Sequence, residues 1–195
     1  MKLIGITGGI ASGKSAVTDY LRGLGYKVIC ADEVSREVSK KGREGYFAVK
    51  NAFGDSFFTT EGEIDRRRLG AYVFSNPSAL EKLNRILQPV ILEAIRKEAF
   101  KSGSSVVFID AALLIESGLQ DEMDAVWLIA ADEAVRIKRI AERDGLSEEE
   151  ARKRIRNQLS DKEKKKYADA VIDNTGELQK TIEKVQELLK NLKGG

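Results

Sequence analysis

The run Gly8-Gly9-Ile10-Ala11-Ser12-Gly13-Lys14-Ser15 has the residue types and spacing to grip a polyphosphate. It reads G-x-x-x-x-G-K-S, with an apolar stretch before it and an amphipathic one after it. Small residues let consecutive backbone N–H groups wrap an anion, and Gly8, Gly9 and Gly13 supply the unusual backbone angles. The helix that follows turns its positive end towards the same anion. Lys14 then reaches the outer phosphates, and the Ser15 hydroxyl ligates Mg²⁺. A plain Gly-rich turn is the alternative, but a strand before and a helix after favour nucleotide binding.

Transfer of a phosphoryl group to an alcohol needs a group that orients the hydroxyl and takes its proton. Asp32, just after the apolar Val28-Ile29-Cys30, is the candidate, and it can equally hold a metal through water. A helix N-cap is at least as good a reading of Asp32 taken alone. Asp110 closes Val106-Val107-Phe108-Ile109, an apolar run ending in a carboxylate as Mg²⁺-holding strands do. Glu116 follows closely and either meets an acceptor or caps a turn. Arg136, Arg139 and Arg143, then Arg152, Arg154 and Arg156, flank Gly145. Helix–Gly–helix carrying arginines suits a lid that excludes water and brings guanidinium groups to the phosphoryl in flight. Most of these arginines fit a solvated face paired with Glu142 and Glu148 to Glu150; Arg143 and Arg139 are the ones chosen for chemistry. Arg66, Arg67, Arg68 and Arg85 offer charge for an anionic acceptor. Asp173-Asn174-Thr175-Gly176 either contacts a base or caps the last helix, and no N-K-x-D guanine-reading motif occurs in the chain.

These residues need a frame. Five β-rich runs, 2–7, 27–30, 106–109, 125–130 and 170–172, alternate with helical patterns, which predicts a mostly parallel sheet covered on both faces. About 75 residues separate the second and third runs, far more than one crossover helix requires. Helices are predicted over 44–53 and 65–74. A third begins at Pro77 with Asn76 as its cap, and Pro89 separates it from a fourth that ends near Lys101. That insertion reads as a helical lobe over the carboxyl edge of the sheet, where open α/β sheets bind ligands. Ser147 with Glu150, and Ser160 with Glu163, have capping-box spacing. A last helix over 177–192 carries the apolar stripe Leu178, Ile182, Val185, Leu188, Leu189 and Leu192, and Lys193-Gly194-Gly195 is expected to fray.

Composition narrows the chemistry further. The 195 residues carry a net charge of +2, which gives no broad attraction to nucleic acid or membrane. Charged residues reach 33%, and this Lys- and Glu-rich excess suits either a thermophilic protein or a well-solvated mesophilic surface. No apolar run approaches the ~20 residues that span a bilayer, and no signal-peptide pattern opens the chain, so a cytoplasmic location is expected. Cys30 is the lone cysteine and histidine is absent. Catalysis must therefore rest on carboxylate, Lys, Arg and Mg²⁺.

The chain resembles the dephospho-coenzyme A kinases over essentially its whole length. The resemblance is carried by residues 4–15, Val28-Ile29-Cys30-Ala31-Asp32, Arg68-Leu69-Gly70 and Ala112-Leu113-Leu114-Ile115-Glu116-Ser117-Gly118. Arg139 to Ser147, Arg154 to Gln158 and Ala168 to Gly176 complete it. It implies a P-loop kinase fold of the α/β class: a five-stranded parallel sheet flanked by helices, with a helical acceptor lobe and a helical lid in one domain. The core then spans 1–40, 104–135 and 166–195, the acceptor lobe about 41–103 and the lid about 136–165. It implies ATP- and Mg²⁺-dependent phosphorylation of the ribose 3′-hydroxyl of dephospho-CoA by a monomer with no nucleic-acid or membrane partner. Catalysis falls to Asp32, Lys14 and Arg143, and nucleotide binding to Gly8 through Ser15, Arg139, Arg143 and Asn174. Asp32, Arg68, Leu113 and Glu116 take the acceptor, and Ser15 and Asp110 the metal. Family members often carry Asp at position 30, His at 88 and Pro at 112, where this chain has Cys30, Gln88 and Ala112. Another small-molecule kinase, or a nucleotide-dependent switch without turnover, remains an alternative reading of the residues.

Overall fold

A computed structural model describes residues 1–193; the expected fraying of Gly194 and Gly195 lies outside them. The five apolar runs form β1 (Lys2–Thr7), β2 (Lys27–Cys30), β3 (Val106–Asp110), β4 (Ala125–Ala130) and β5 (Ala170–Asp173). They make a five-stranded parallel sheet in the order β2-β3-β1-β4-β5. The helices are α1 (Lys14–Gly23), α2 (Ala31–Val38), α3 (Glu44–Phe53), α4 (Arg66–Ser75) and α5 (Pro77–Lys101). They continue with α6 (Glu133–Asp144), α7 (Glu148–Arg156), α8 (Asp161–Lys164) and α9 (Leu178–Lys193). The chain divides into two compact units, Met1–Val28 with Ser104–Gly195, and Ile29–Gly103. The second unit thus takes in α2, ahead of the boundary near residue 41 drawn from sequence.

In the first unit Ile4, Ile6, Phe108, Trp127, Ile129 and Ile172 of the strands are buried against Val17 and Leu21 of α1 and Val185 and Leu189 of α9. Side chains on both faces of β1 are covered and only Lys2 is exposed, which is why the strand reads as continuously apolar. Each such Ile or Leu contributes about 1.5–3 kcal/mol by leaving water. On α9 the expected stripe holds at Val185 and Leu189, but Leu178, at the first position of the helix, is 50% exposed. A separate small cluster joins Ile137 and Ile140 of α6 to Ala151 of α7, with Ile10, Ala11, Leu146 and Ile155 packed on it. The helix pair expected as a lid therefore shares apolar surface with the glycine-rich loop.

In the second unit α5 packs against α2, α3 and α4 around Val49, Leu69, Val73 and Ala79. Asn76 caps α5 by accepting the Ala79 N–H at 3.3 Å, and Pro77 fills the first turn, as the sequence predicts. Pro89 does not end that helix. α5 runs unbroken for 25 residues through it. The missing N–H orphans the Arg85 carbonyl four residues back. Pro89 lies on the exposed side of the helix, where water can satisfy that carbonyl, and packing on three neighbouring helices outweighs the local cost.

Candidate phosphoryl-transfer site

The β1–β3 register sets the site. Ile6 lies level with Asp110, so β1 ends beside the carboxylate and the chain turns directly into the loop. Thr7 Oγ1 donates to the Ala112 carbonyl at 3.2 Å and so ties the last residue of β1, just before the loop, to the segment after β3. α1 starts at Lys14 with no side-chain cap and no acidic residue in its first turn, which leaves its end amides to an anion and puts no carboxylate against one. Gly13 precedes it at φ 90, the left-handed region that favours glycine. A Cβ on Gly13 would strike the Asn174 amide, and one on Gly9 would strike the Arg136 guanidinium. Ala11, at φ 60, is left-handed without being glycine. That costs about 1 kcal/mol and persists only where the surroundings over-determine it.

Those surroundings come from three later segments. Arg136 is buried, and its Nε donates to the Ile10 carbonyl at 2.9 Å. Arg139 NH1 donates to the Ala11 and Ser12 carbonyls at 3.3 and 3.4 Å, and its NH2 to the Asn174 carbonyl at 2.8 Å. Asn174 Nδ2 donates to the Ser12 carbonyl at 2.7 Å, while its Oδ1 accepts from Thr181 Oγ1 at 3.0 Å. Gln158 Oε1 accepts the Ile10 N–H at 2.7 Å. The carbonyls of Ile10, Ala11 and Ser12 are thus taken up by donors from outside the loop. Among the described residues Ser12 Oγ is buried without a hydrogen-bond partner.

Inside the loop Lys14 Nζ pairs with Asp110, and both side chains are largely buried. The Ser15 side chain is exposed. One hydroxyl and one carboxylate are hard oxygen donors that fit Mg²⁺, which keeps several waters and shares substrate phosphates instead of filling a protein cage. Among the described residues no cluster of three acidic, His or Cys side chains offers a fuller metal site.

Arg143 stands apart from Arg139, one turn earlier on α6. Its guanidinium forks onto Asp144, at 2.8 Å from Nε and 3.0 Å from NH2, and Arg154 NH1 meets the same carboxylate at 2.7 Å. The Arg143 hydrogen bond holds Asp144 below the ordinary carboxylate value. Arg152 pairs with Glu133 and Glu148, the solvated face expected from the sequence. Both capping boxes form, Ser147 with Glu150 and Ser160 with Glu163, and the serine hydrogen bonds lower both glutamates. Glu116 is tied to the segment after α7. It pairs with the fully buried Lys164 at 2.9 Å and accepts the Leu159 N–H at 3.1 Å. Leu113 of the same loop is half-buried.

In the second unit Asp32 is not the N-cap of α2. Cys30 holds that position, and Asp32 is exposed in the first turn of the helix. Arg68 NH1 donates to the Ser56 carbonyl at 2.7 Å, and its backbone N–H is capped by Asp65 at 2.9 Å. Arg66 donates to the Arg36 carbonyl at 3.1 Å, and burial together with the Arg36 charge pulls its pKa down.

Arg136, Gln158, Asp161 and Lys164 were not singled out by sequence as site residues. Arg136 had one usable signal, its i,i+3 spacing from Arg139 on one helix face. Lys164, inside Asp161-Lys162-Glu163-Lys164-Lys165-Lys166, reads as solvated.

The dephospho-CoA kinase family model matches residues 2–180 of this chain. The chain belongs to the dephospho-CoA kinase family. A relative of that name from Geobacillus kaustophilus is 45% identical over 190 residues, covering 96% of this chain and 94% of its own. The solved structure of TT1252 from Thermus thermophilus superposes with a TM-score of 0.82 at 33% identity, covering 98% of this chain and 97% of that one. A dephospho-CoA kinase from Campylobacter jejuni gives 0.65 at 28% identity, covering 97% and 98%. This dephospho-CoA kinase family member therefore has the P-loop kinase fold and is a nucleotide-using transferase. None of its described helices is long and apolar enough to cross a membrane.

Proposed function

We propose that this protein transfers the γ-phosphoryl of ATP to the ribose 3′-hydroxyl of dephospho-CoA, giving coenzyme A and ADP. The observation that carries the reading is the braced loop of residues 8–15 with Lys14 set beside Asp110, in a chain that matches the family nearly end to end. Gly8, Gly9, Ile10, Ala11, Ser12 and Gly13 shape the cradle, and the amides of the loop and of the first turn of α1 take the phosphates. Ser15 and Asp110 would hold Mg²⁺, which would supply neutralisation of the phosphate charge. Lys14 exchanges Asp110 for the outer phosphates. Arg139 and Asn174 keep the nucleotide end of the loop in shape. Arg143, carried on Asp144, stabilises the phosphoryl in transfer. Asp32 orients the acceptor hydroxyl and takes its proton. Arg68 and Leu113 meet the acceptor, and Glu116 serves it by fixing the loop that carries Leu113. Residues 41–103 act as acceptor lobe and 136–165 as lid. Catalysis is positioning and charge neutralisation, with no covalent intermediate.

A coupled ADP-release assay with dephospho-CoA, a panel of nucleoside monophosphates and no acceptor tests this. ADP release that depends on dephospho-CoA is expected. Release driven equally by a nucleoside monophosphate, or release without any acceptor, contradicts it.

A further inference from the structure

The loop is also gripped by residues 158–164, between α7 and the end of α8, a stretch of the proposed lid in which no side chain has been given a role of its own. Gln158 Oε1 accepts the Ile10 N–H at 2.7 Å. Asp161 Oδ1 lies 3.4 Å from Arg136 NH1, and Arg136 Nε holds the Ile10 carbonyl at 2.9 Å. The segment is itself anchored. Leu159 N–H donates to Glu116, and the fully buried Lys164 donates to the Ala112 carbonyl at 3.0 Å and pairs with Glu116. Both backbone groups of Ile10 are therefore fixed, one directly by the segment and one through Arg136.

Fixing the N–H and the carbonyl of one residue fixes two successive peptide planes, since each plane is rigid. Here they are the planes on either side of Ile10, and the next residue is the left-handed Ala11. Released from these partners, Ala11 would relax towards ordinary backbone angles and turn the following amides out of the anion cradle. A cradle held in shape beforehand binds more tightly because less ordering remains to be done.

We infer that Gln158 is a positioning residue for nucleotide binding: its side-chain oxygen locks the Gly9–Ile10 peptide and so presets the phosphate loop, with Lys164 as the buried anchor of the segment that carries it. The inference rests on the proposed nucleotide binding. Gln158→Met keeps the length of the side chain and removes the oxygen, while Gln158→Glu keeps an acceptor. Calorimetric titration of the full chain with ADP and Mg²⁺, beside thermal melts and acceptor KM, reads the effect. For Gln158→Met we expect an ADP Kd about tenfold above wild type with acceptor KM within about twofold, the order for one backbone donor losing its partner. The melting temperature stays within about 3 °C of wild type, since the bond is partly exposed. Gln158→Glu recovers most of the affinity. Wild-type ADP affinity in Gln158→Met, or equal weakening in both variants, overturns the inference. Gln158→Ala replaces Gln158→Met in this comparison should the longer side chain not fold. Absence of ADP binding by the wild-type chain would instead overturn the kinase reading beneath it.

Discussion

In the proposed mechanism Asp32 and Lys14 divide the chemistry at the level of single residues, one acting on the acceptor and one on the donor. Asp32→Asn removes a proton acceptor and leaves shape, so kcat falls by ~10²–10⁴ while nucleotide affinity is kept. Lys14→Ala removes charge from the developing transition state and leaves Asp110 without its cation; steady-state kinetics show a loss at least as large, in the same ~10²–10⁴ range or beyond. Asp144 brings a pH dependence. Its pKa in the folded chain lies below the ordinary value, so its pairing with Arg143 contributes at and above that ordinary value and fades as pH falls through the lowered one. An NMR titration of the Asp144 carboxyl should give a midpoint below that of a solvated aspartate, and Arg143→Ala should raise it part of the way back, since Arg154 still holds the carboxylate. The phosphate loop was legible because its signal is local: small residues, a lysine and a serine at fixed spacing between strand and helix. The braces were not. Arg136 and Lys164 look like solvated charge in sequence, and burial is decided by distant segments such as residues 8–15 and 112–116.

Periodicity and caps located the helices well, since each signal sits within a turn of the residue it governs. Asn76 and Pro77, Ser147 with Glu150 and Ser160 with Glu163 all form the caps that their spacing requires. α5 departed from this because a proline's local cost was opposed by packing on α2, α3 and α4, and packing is not written in the neighbouring residues. That opposition has a measurable consequence. Pro89→Ala restores a donor for the Arg85 carbonyl and relieves the ring clash, which is worth ~3 kcal/mol in a helix interior before the added unfolded-chain freedom of ~1 kcal/mol is subtracted. Chemical denaturation should show a gain in stability of about 2 kcal/mol, the remainder of that difference. A loss would mean that α5 is shaped around the proline.

The whole molecule has a sheet unit that holds the glycine-rich loop and a helical unit that carries Asp32 and the arginines proposed to meet the acceptor. Alternating strands and helices announced the sheet. The placement of α2 in the helical unit was invisible, because a short helix after a strand reads the same on either side of a boundary. Within the sheet unit the Lys164–Glu116 pair joins the end of α8 to the loop after β3. Lys164→Met strips a largely buried carboxylate of its counter-charge, so stability drops by about 3 kcal/mol and the melting temperature by roughly 10 °C.

Above all of this stands the transfer itself. Incubation with ATP, Mg²⁺ and dephospho-CoA, followed by mass spectrometry and phosphorus NMR of the nucleotide products, reads it directly. Equal amounts of ADP and of a coenzyme A bearing its new phosphate on the ribose 3′-oxygen are expected, with none formed by Lys14→Ala. ADP without a phosphorylated acceptor, or a phosphate at another oxygen, would contradict it.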